Sequence, residues 1–365
     1  MFSKILLKFL YFSSSSPVHY PLDEDIQRMF YPFNCLLLLL CTPKYAIRNS
    51  YIVPNGITRT ILSFLSVCFV IIVSVFYLFF QEQNDVYASA HEGAIELVIT
   101  IFLHILYISI TIMIFVLNII HSKDNILLMV SIQKIYRSFI IIKGVNSFVI
   151  WNWIIAGVTI ISNIAIYTSF HMTSNGVYIF TLPLLIRNCM YATVDVNCVY
   201  AIRVLALLNK CLDEWVDRIA RLNEEEEYYM NTTKLVNVYL DILKAYKLYK
   251  TLFQAWLVVF YKYPVFGFMA SLWIFKDIAL IVIQSVQCEK FYLANERAKT
   301  ACILLLRDKN CPNDQRRLYK QILQTNRVFS KMSAYGLFYV DPRLTIAVVE
   351  LFTGYVIVLL QFAIL

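Results

Sequence analysis

Four stretches, residues 57–80, 94–120, 145–170 and 345–365, stay apolar for longer than any soluble core requires, and this constrains the chain more than any other feature. A helix rises about 1.5 Å per residue, so about 20 residues cross a hydrocarbon core of about 30 Å. Residues 177–200 are equally long but carry Arg187, Asn188 and Asp195, which have to face protein or water instead of lipid. The region 245–287 is apolar throughout but broken around Tyr261, Lys262, Tyr263, Pro264 and Gly267, and it reads as two spans. The run 35–40 is too short to cross and reads as interfacial or packed on the bundle. The total is seven spans. Composition agrees: 59% of the 365 residues are hydrophobic and 15% charged, where a soluble domain has roughly 25% charged.

The loops assign the sides of the membrane, because Lys and Arg gather in short cytoplasmic segments. Residues 81–93 contain Glu82, Asp85 and Glu92 with no Lys or Arg, and residues 171–176 carry no charge of either kind; both read as outside. Residues 121–144 carry Lys123, Lys134, Arg137 and Lys143, and 289–344 carry eleven basic residues; both read as inside. In chain order this gives a cytoplasmic N-terminus and an extracellular C-terminus, which needs an odd number of spans. The net charge of +8 then belongs to cytoplasmic loops and not to a nucleic-acid surface. The opening MFSKILLKFLYFSSSSP lacks a convincing cleavage site. The nine cysteines form no CxxC pair and are expected to stay reduced.

Two regions read as helix beyond the bilayer. Residues 201–244 place Ala206, Leu207, Trp215, Ile219 and Leu222 at helical spacing, and 288–344 do the same with Ile303, Leu306, Leu318, Ile322 and Val328, interrupted at Cys311, Pro312 and Asn313. Their apolar faces suit either packing within one subunit or a core shared between subunits. The run Glu224 to Glu227 points around a helix, so it reads as a solvated turn and not a calcium site. The expected fold is therefore an all-α, seven-transmembrane helical protein of inverted topology. Its segments are a cytosolic and interfacial region 1–56, spans 1–4 within 57–200, a cytosolic extension 201–244, spans 5–6 in 245–287, cytosolic anchor helices 288–344 and span 7 at 345–365.

The tail carries a resemblance. Gly354-Tyr355, five apolar residues, then Gln361-Phe362 looks like the Thr-Tyr, five hydrophobics, Gln-Phe signature of insect gustatory receptors, with Gly354 standing where the family usually has Thr. The approach Ser333-Ala334-Tyr335-Gly336-Leu337-Phe338 and Asp341 is similar to the family's own. The segments Gln287 to Tyr292 and Asn326 to Met332 resemble lepidopteran bitter-type receptors. The resemblance implies a homo- or heterotetrameric, ligand-gated cation channel in the plasma membrane of chemosensory neurons. It also implies that the last helix of each subunit lines the pore and that the cytosolic helices anchor the subunits.

At about 100° per residue, Glu350, Gly354, Ile357 and Gln361 fall within roughly 60° of arc on the last helix. Such a stripe serves either close helix packing or a pore lining. As a pore, Gln361 would form a polar ring, Ile357 an apolar constriction and Glu350 a cation-concentrating inner mouth. Tyr355 would hold the helix against its neighbours.

For a small-molecule site the spans offer Glu96, His104, Tyr107, Asn163, Tyr167, Tyr178, Arg187 and Trp273. His104 and Arg187 stand out, because a polar group within a span usually has a partner or a role. The aromatic content tilts toward flat plant metabolites over sugars. No enzyme motif (HExxH, GxSxG or GxxxxGK[ST]) is present, and no cofactor or metal is implied. A G-protein-coupled receptor conflicts with the sidedness, and the chain has no Asp-Arg-Tyr triplet or Asn-Pro pair. A secondary transporter predicts an internal repeat that is not evident. An odorant-type receptor shares the inverted channel architecture and differs in the tail and in its partners.

Overall fold

The computed structural model describes residues 20–85, 92–138, 145–174, 182–221, 228–261, 268–307, 311, 313–334, 336 and 338–364. The described residues are mostly helical, and among them is one small sheet within residues 20–53. The helices are α1 (Glu24–Leu39), α2 (Ile57–Asp85), α3 (Glu92–Ile120), α4 (Ser122–Ser138), α5 (Val145–Ser174), α6 (Leu182–Arg221), α7 (Tyr228–Tyr261), α8 (Phe268–Arg307), α9 (Asn313–Arg327) and α10 (Pro342–Ile364). Among the described residues, Ile57–Phe76, Val145–Ile166 and Asn188–Ile219 are long and apolar enough to cross a membrane. A fourth candidate is the pair Tyr107–Ile120 and Ser122–Ser138, bent by 69°.

The chain divides into two compact units. The first contains the described residues up to Ile126 and the described parts of Val145–Tyr200 and Val265–Phe275. Its sheet has strands β1 (Tyr20–Pro21), β2 (Ala46–Arg48) and β3 (Tyr51–Val53), antiparallel in the order β1-β3-β2. Arg48 faces Tyr51 across the two-residue turn Asn49-Ser50, where both residues take positive φ (49° and 62°). That is the twist a tight hairpin demands, although Ser50 adopts it without the freedom of glycine.

In α1, Ile26, Met29, Phe30, Phe33 and Leu37 recur at helical spacing and are buried. Glu24 and Asp25 occupy its first turn, where negative charge suits the helix dipole. The helix packs on α5, and Asn152 of α5 donates its amide to the Met29 carbonyl at 2.6 Å. Tyr200 of α6 stands edge-on to Phe30 and Phe33, with ring centroids 5.9 and 6.0 Å away. The segment 35–40, expected at the interface or on the bundle, thus lies at the end of a helix docked on α5.

The second unit contains the described parts of Leu127–Gly144, Ala201–Pro264 and Lys276–Leu365. Its core is aromatic. Trp215 lies 4.7 Å from Tyr239 and donates Nε1–H to the Leu235 carbonyl at 2.7 Å. The Tyr239 hydroxyl bonds Asn295 at 2.7 Å, and Asn295 donates to Asn326 at 2.9 Å. These buried polar groups are satisfied by one another, as burial requires. Tyr246 stacks on Phe291 at 4.3 Å. Burial pushes the Cys288 and Cys302 thiols up to about 12, so both are inert apolar fillers here.

Two helical features go beyond the expected segments. The basic region 121–144, read as a loop, contains α4, whose Ile126, Met129, Ile132 and Ile135 are buried. His121 and Asp124 bond at 2.8 Å where α3 bends into it. The boundaries expected at residues 200, 244 and 287 fall inside continuous helices α6, α7 and α8. Glu224 to Glu227 lie outside the described residues.

Candidate functional site

In the first unit, the site grows from polar residues that α6 carries into an apolar bundle. Residues 190–202 of α6 are buried on every side, and they include Thr193, Asp195 and Asn197. A carboxylate in such a place has to be hydrogen-bonded. Asp195, 2% exposed, accepts a 2.6 Å bond from the amide of Asn163 in α5, which also donates to the Thr159 carbonyl at 2.8 Å. One turn earlier on α6, Tyr191 meets Tyr107 of α3 edge-to-face, with centroids 4.2 Å apart. Beside it, Met190 receives the Ser74 hydroxyl of α2 at 3.9 Å. Three neighbouring helices therefore converge on two turns of α6, with an aromatic pair and a carboxylate–amide pair at i and i+4.

Of the residues singled out in the sequence, Tyr107 and Asn163 are brought to this cluster. The side chains of Glu96, His104, Tyr167, Arg187 and Trp273 lie outside the described ones, although their backbones are in α3, α5, α6 and α8. Tyr178 lies outside the described residues altogether. Asp195 and Tyr191 were not assigned to a site from the sequence. An aspartate in a spanning run was a visible signal for the first. Nothing local distinguishes Tyr191 from the many other tyrosines of the chain.

Near Lys44 a second cluster ties the N-terminal segment to the bundle. Its amino group lies 3.4 Å from Asn118 Oδ1 of α3 and 5.5 Å above the Tyr200 ring. Asn118 in turn donates to the Thr42 carbonyl at 3.3 Å. Burial lowers the Lys44 ammonium to about 7, because the charged form is stripped of water. Burial likewise pushes the neighbouring Tyr45 phenol up to about 12.

The last helix, α10, starts where its sequence dictates. Asp341 accepts the Arg343 amide on Oδ1 at 3.0 Å, and Pro342 opens the first turn, where a missing N–H costs nothing. The chain reaches this point through a tight reversal: Ser333 bridges Tyr339, Ala334 donates to Phe338 at 2.9 Å, and Gly336 takes φ +82°. Within α10, Ile346, Val349, Glu350, Thr353, Gly354, Ile357 and Gln361 are all exposed, at spacings of three and four that define one face. Glu350, Gly354, Ile357 and Gln361 all lie on it. A Cβ added at Gly354 would meet nothing within 4 Å. The side chains of Tyr355 and Phe362 lie outside the described ones. Among the described residues, no group of His, Cys, Asp and Glu is arranged to hold a metal ion.

Known proteins place this architecture. The chain is similar to the insect olfactory receptor OR5 from Machilis hrabei, with a TM-score of 0.63 at 12% identity over 93% of this chain and all of that one. The same receptor in complex with eugenol superposes with a TM-score of 0.52 at the same identity and coverage. No family model and no curated protein matches the sequence. At this identity the likeness defines the fold: an all-α, multi-helix membrane protein built like an insect olfactory receptor.

Proposed function

We propose that this chain is a subunit of a ligand-gated, non-selective cation channel that detects small molecules, of the gustatory type, in the plasma membrane of chemosensory neurons. The observation that carries the proposal is the face of α10. Glu350 and Gln361 share an unpacked stripe with Gly354, Ile346, Val349 and Ile357. A carboxylate and an amide on the uncovered side of a spanning helix call for water or like helices beside them, which a pore along a four-fold axis supplies. In a homo- or heterotetramer Gln361 rings would replace part of a cation's hydration shell. Ile357 would close the path by dewetting, and Glu350 would gather cations at the cytoplasmic mouth.

The topology follows from the loop charges, with the N-terminus cytoplasmic, the C-terminus extracellular and seven spans between them. The tail Gly354-Tyr355 and Gln361-Phe362 supports the gustatory reading and a bitter or other plant-derived tastant. The cluster of Tyr107, Asn163, Tyr191 and Asp195 offers that ligand an aromatic wall with a polar anchor. An odorant-type receptor is the second reading, favoured by the fold likeness to an olfactory receptor. Lipid is the surrounding solvent in both, and neither needs nucleic acid, a metal or a cofactor.

Whole-cell recording from cells expressing the chain tests the proposal, with plant alkaloids, glycosides, sugars and odorant phenols applied under blocked G-protein signalling. A fast current whose permeability ratios shift in Gln361→Ala supports the channel. A current abolished by the block sinks it, and a response to volatile phenols alone favours the odorant reading.

A further inference from the structure

Between α9 and α10 the exposed segment around Ser330 presents a feature that ligand gating does not use. Ser330 lies outside any helix, beyond Arg327 and the 82%-exposed Val328, with Lys331 beside it. Its sequence, Arg327-Val328-Phe329-Ser330, places an exposed arginine three residues ahead of an exposed hydroxyl. An accessible irregular backbone and a positive charge at that offset are what a kinase with an acidic substrate groove recognises. The hydroxyl already has a cation in place: Lys250 Nζ, from the last charged residue of α7, donates to Ser330 Oγ at 2.8 Å. Lys331 adds a second ammonium, held 5.1 Å over the Tyr292 ring.

We propose that Ser330 is a phosphorylation site for an arginine-directed serine kinase, and that Lys250 receives the phosphate. The γ-phosphoryl of ATP passes to Oγ. A P–O bond forms at the serine, the bond to the β,γ-bridging oxygen breaks, ADP leaves, and the hydroxyl proton goes to a base of the kinase. The product carries about −1.5 to −2 charge at pH 7 and three strong acceptors beside two lysines, so it strengthens an existing contact. The consequence lies along the chain. Met332 N–H is bonded to the Tyr292 hydroxyl at 3.0 Å, Val340 N–H to the Met332 carbonyl at 2.9 Å, and Asp341 then starts α10. A phosphate at Ser330 clamps α7 to the segment that delivers the pore helix, and so adjusts the gate. This rests on the cytoplasmic placement of 288–344 under the proposed function.

The test incubates the full-length chain in detergent with an arginine-directed kinase and ATP, and reads phosphate at Ser330 by peptide mass spectrometry. Wild type is expected to be modified, Ser330→Ala not, and Arg327→Ala about tenfold more slowly, as the loss of one charge pair of about 1.4 kcal/mol implies. Amide hydrogen exchange across residues 328–334 is expected to slow on phosphorylation, and Lys250→Ala, compared at equal phosphate incorporation, to abolish that slowing. Absence of phosphate at Ser330 in detergent, or slowing that survives in Lys250→Ala, overturns the proposal. Labelling in intact cells separates it from the reading beneath it. If the solubilised chain is modified but the cellular chain is not, and a tag in residues 288–344 is reached from outside, the orientation has failed and the site falls with it.

Discussion

Helices α2 and α6 are both apolar enough to cross a membrane, yet 11% of the apolar stretch of α2 is buried inside the protein against 89% of that of α6. The more uniformly apolar of the two is the more exposed: Leu62, Phe64, Leu65, Phe69 and Ile72 of α2 face outward, while Thr193, Asp195 and Asn197 of α6 are enclosed. A soluble protein would do the reverse. The inversion follows when the solvent is hydrocarbon, because apolar side chains then lose nothing by facing out and polar ones have to find partners within. Within the spans of this chain polarity, and not apolarity, marks the enclosed side.

The largest effect expected is at Lys44, which rests on the Tyr200 ring of the enclosed helix. Its folded value of about 7 lies below the ordinary lysine range. Between about pH 7 and pH 10.4 the unfolded chain therefore holds more protons than the folded one. Stability attributable to this group rises with pH across that window and is flat below it, with a total of at most about 5 kcal/mol. Thermal melts of wild type and Lys44→Met in detergent are expected to differ most at pH 7, with the variant higher, and to converge toward pH 10. A gap that does not change with pH would remove Lys44 from the buried side of the comparison.

Next comes the direct contrast between the helices. Leu205→Ala in α6, at a site fully enclosed, is expected to cost about 3 kcal/mol through lost burial and the cavity left behind. Leu65→Ala in α2, 56% exposed, is expected to stay within about 0.5 kcal/mol. Equal losses in melting temperature would erase the distinction. Between these lies Asn163→Leu, expected to cost about 2 kcal/mol because Asp195 loses its 2.6 Å donor. Asn163→Asp is expected to be worse than Asn163→Leu at pH 7, since it replaces the amide donor by a second carboxylate facing Asp195 in an enclosed place. If ligand currents also fall in Asn163→Leu at unchanged surface expression, the cluster takes part in binding as well as in packing.

Much of this arrangement was legible in the residues. Long apolar runs announce spanning helices, and Asp341-Pro342 announces the start of α10. The small sheet was not legible, because strands of two and three residues are too short for alternation to show. Helix α4 was hidden by its lysines, although Ile126, Met129, Ile132 and Ile135 carried its period. At the site, Asp195 was visible as a polar anomaly in an apolar run, and its pairing with Asn163, 32 residues earlier, depends on how α5 and α6 lie together.

Helix period, hydropathy and charge are properties of neighbouring residues, so the residues alone announced the long apolar helices, their preference for lipid, and where Lys and Arg gather. Only the tertiary structure decided which side of each helix is enclosed, which polar groups satisfy one another, and that the stripe of Glu350, Gly354, Ile357 and Gln361 is left uncovered. Those outcomes depend on contacts between residues far apart in the chain, and the free energy of such a contact is written in neither partner alone.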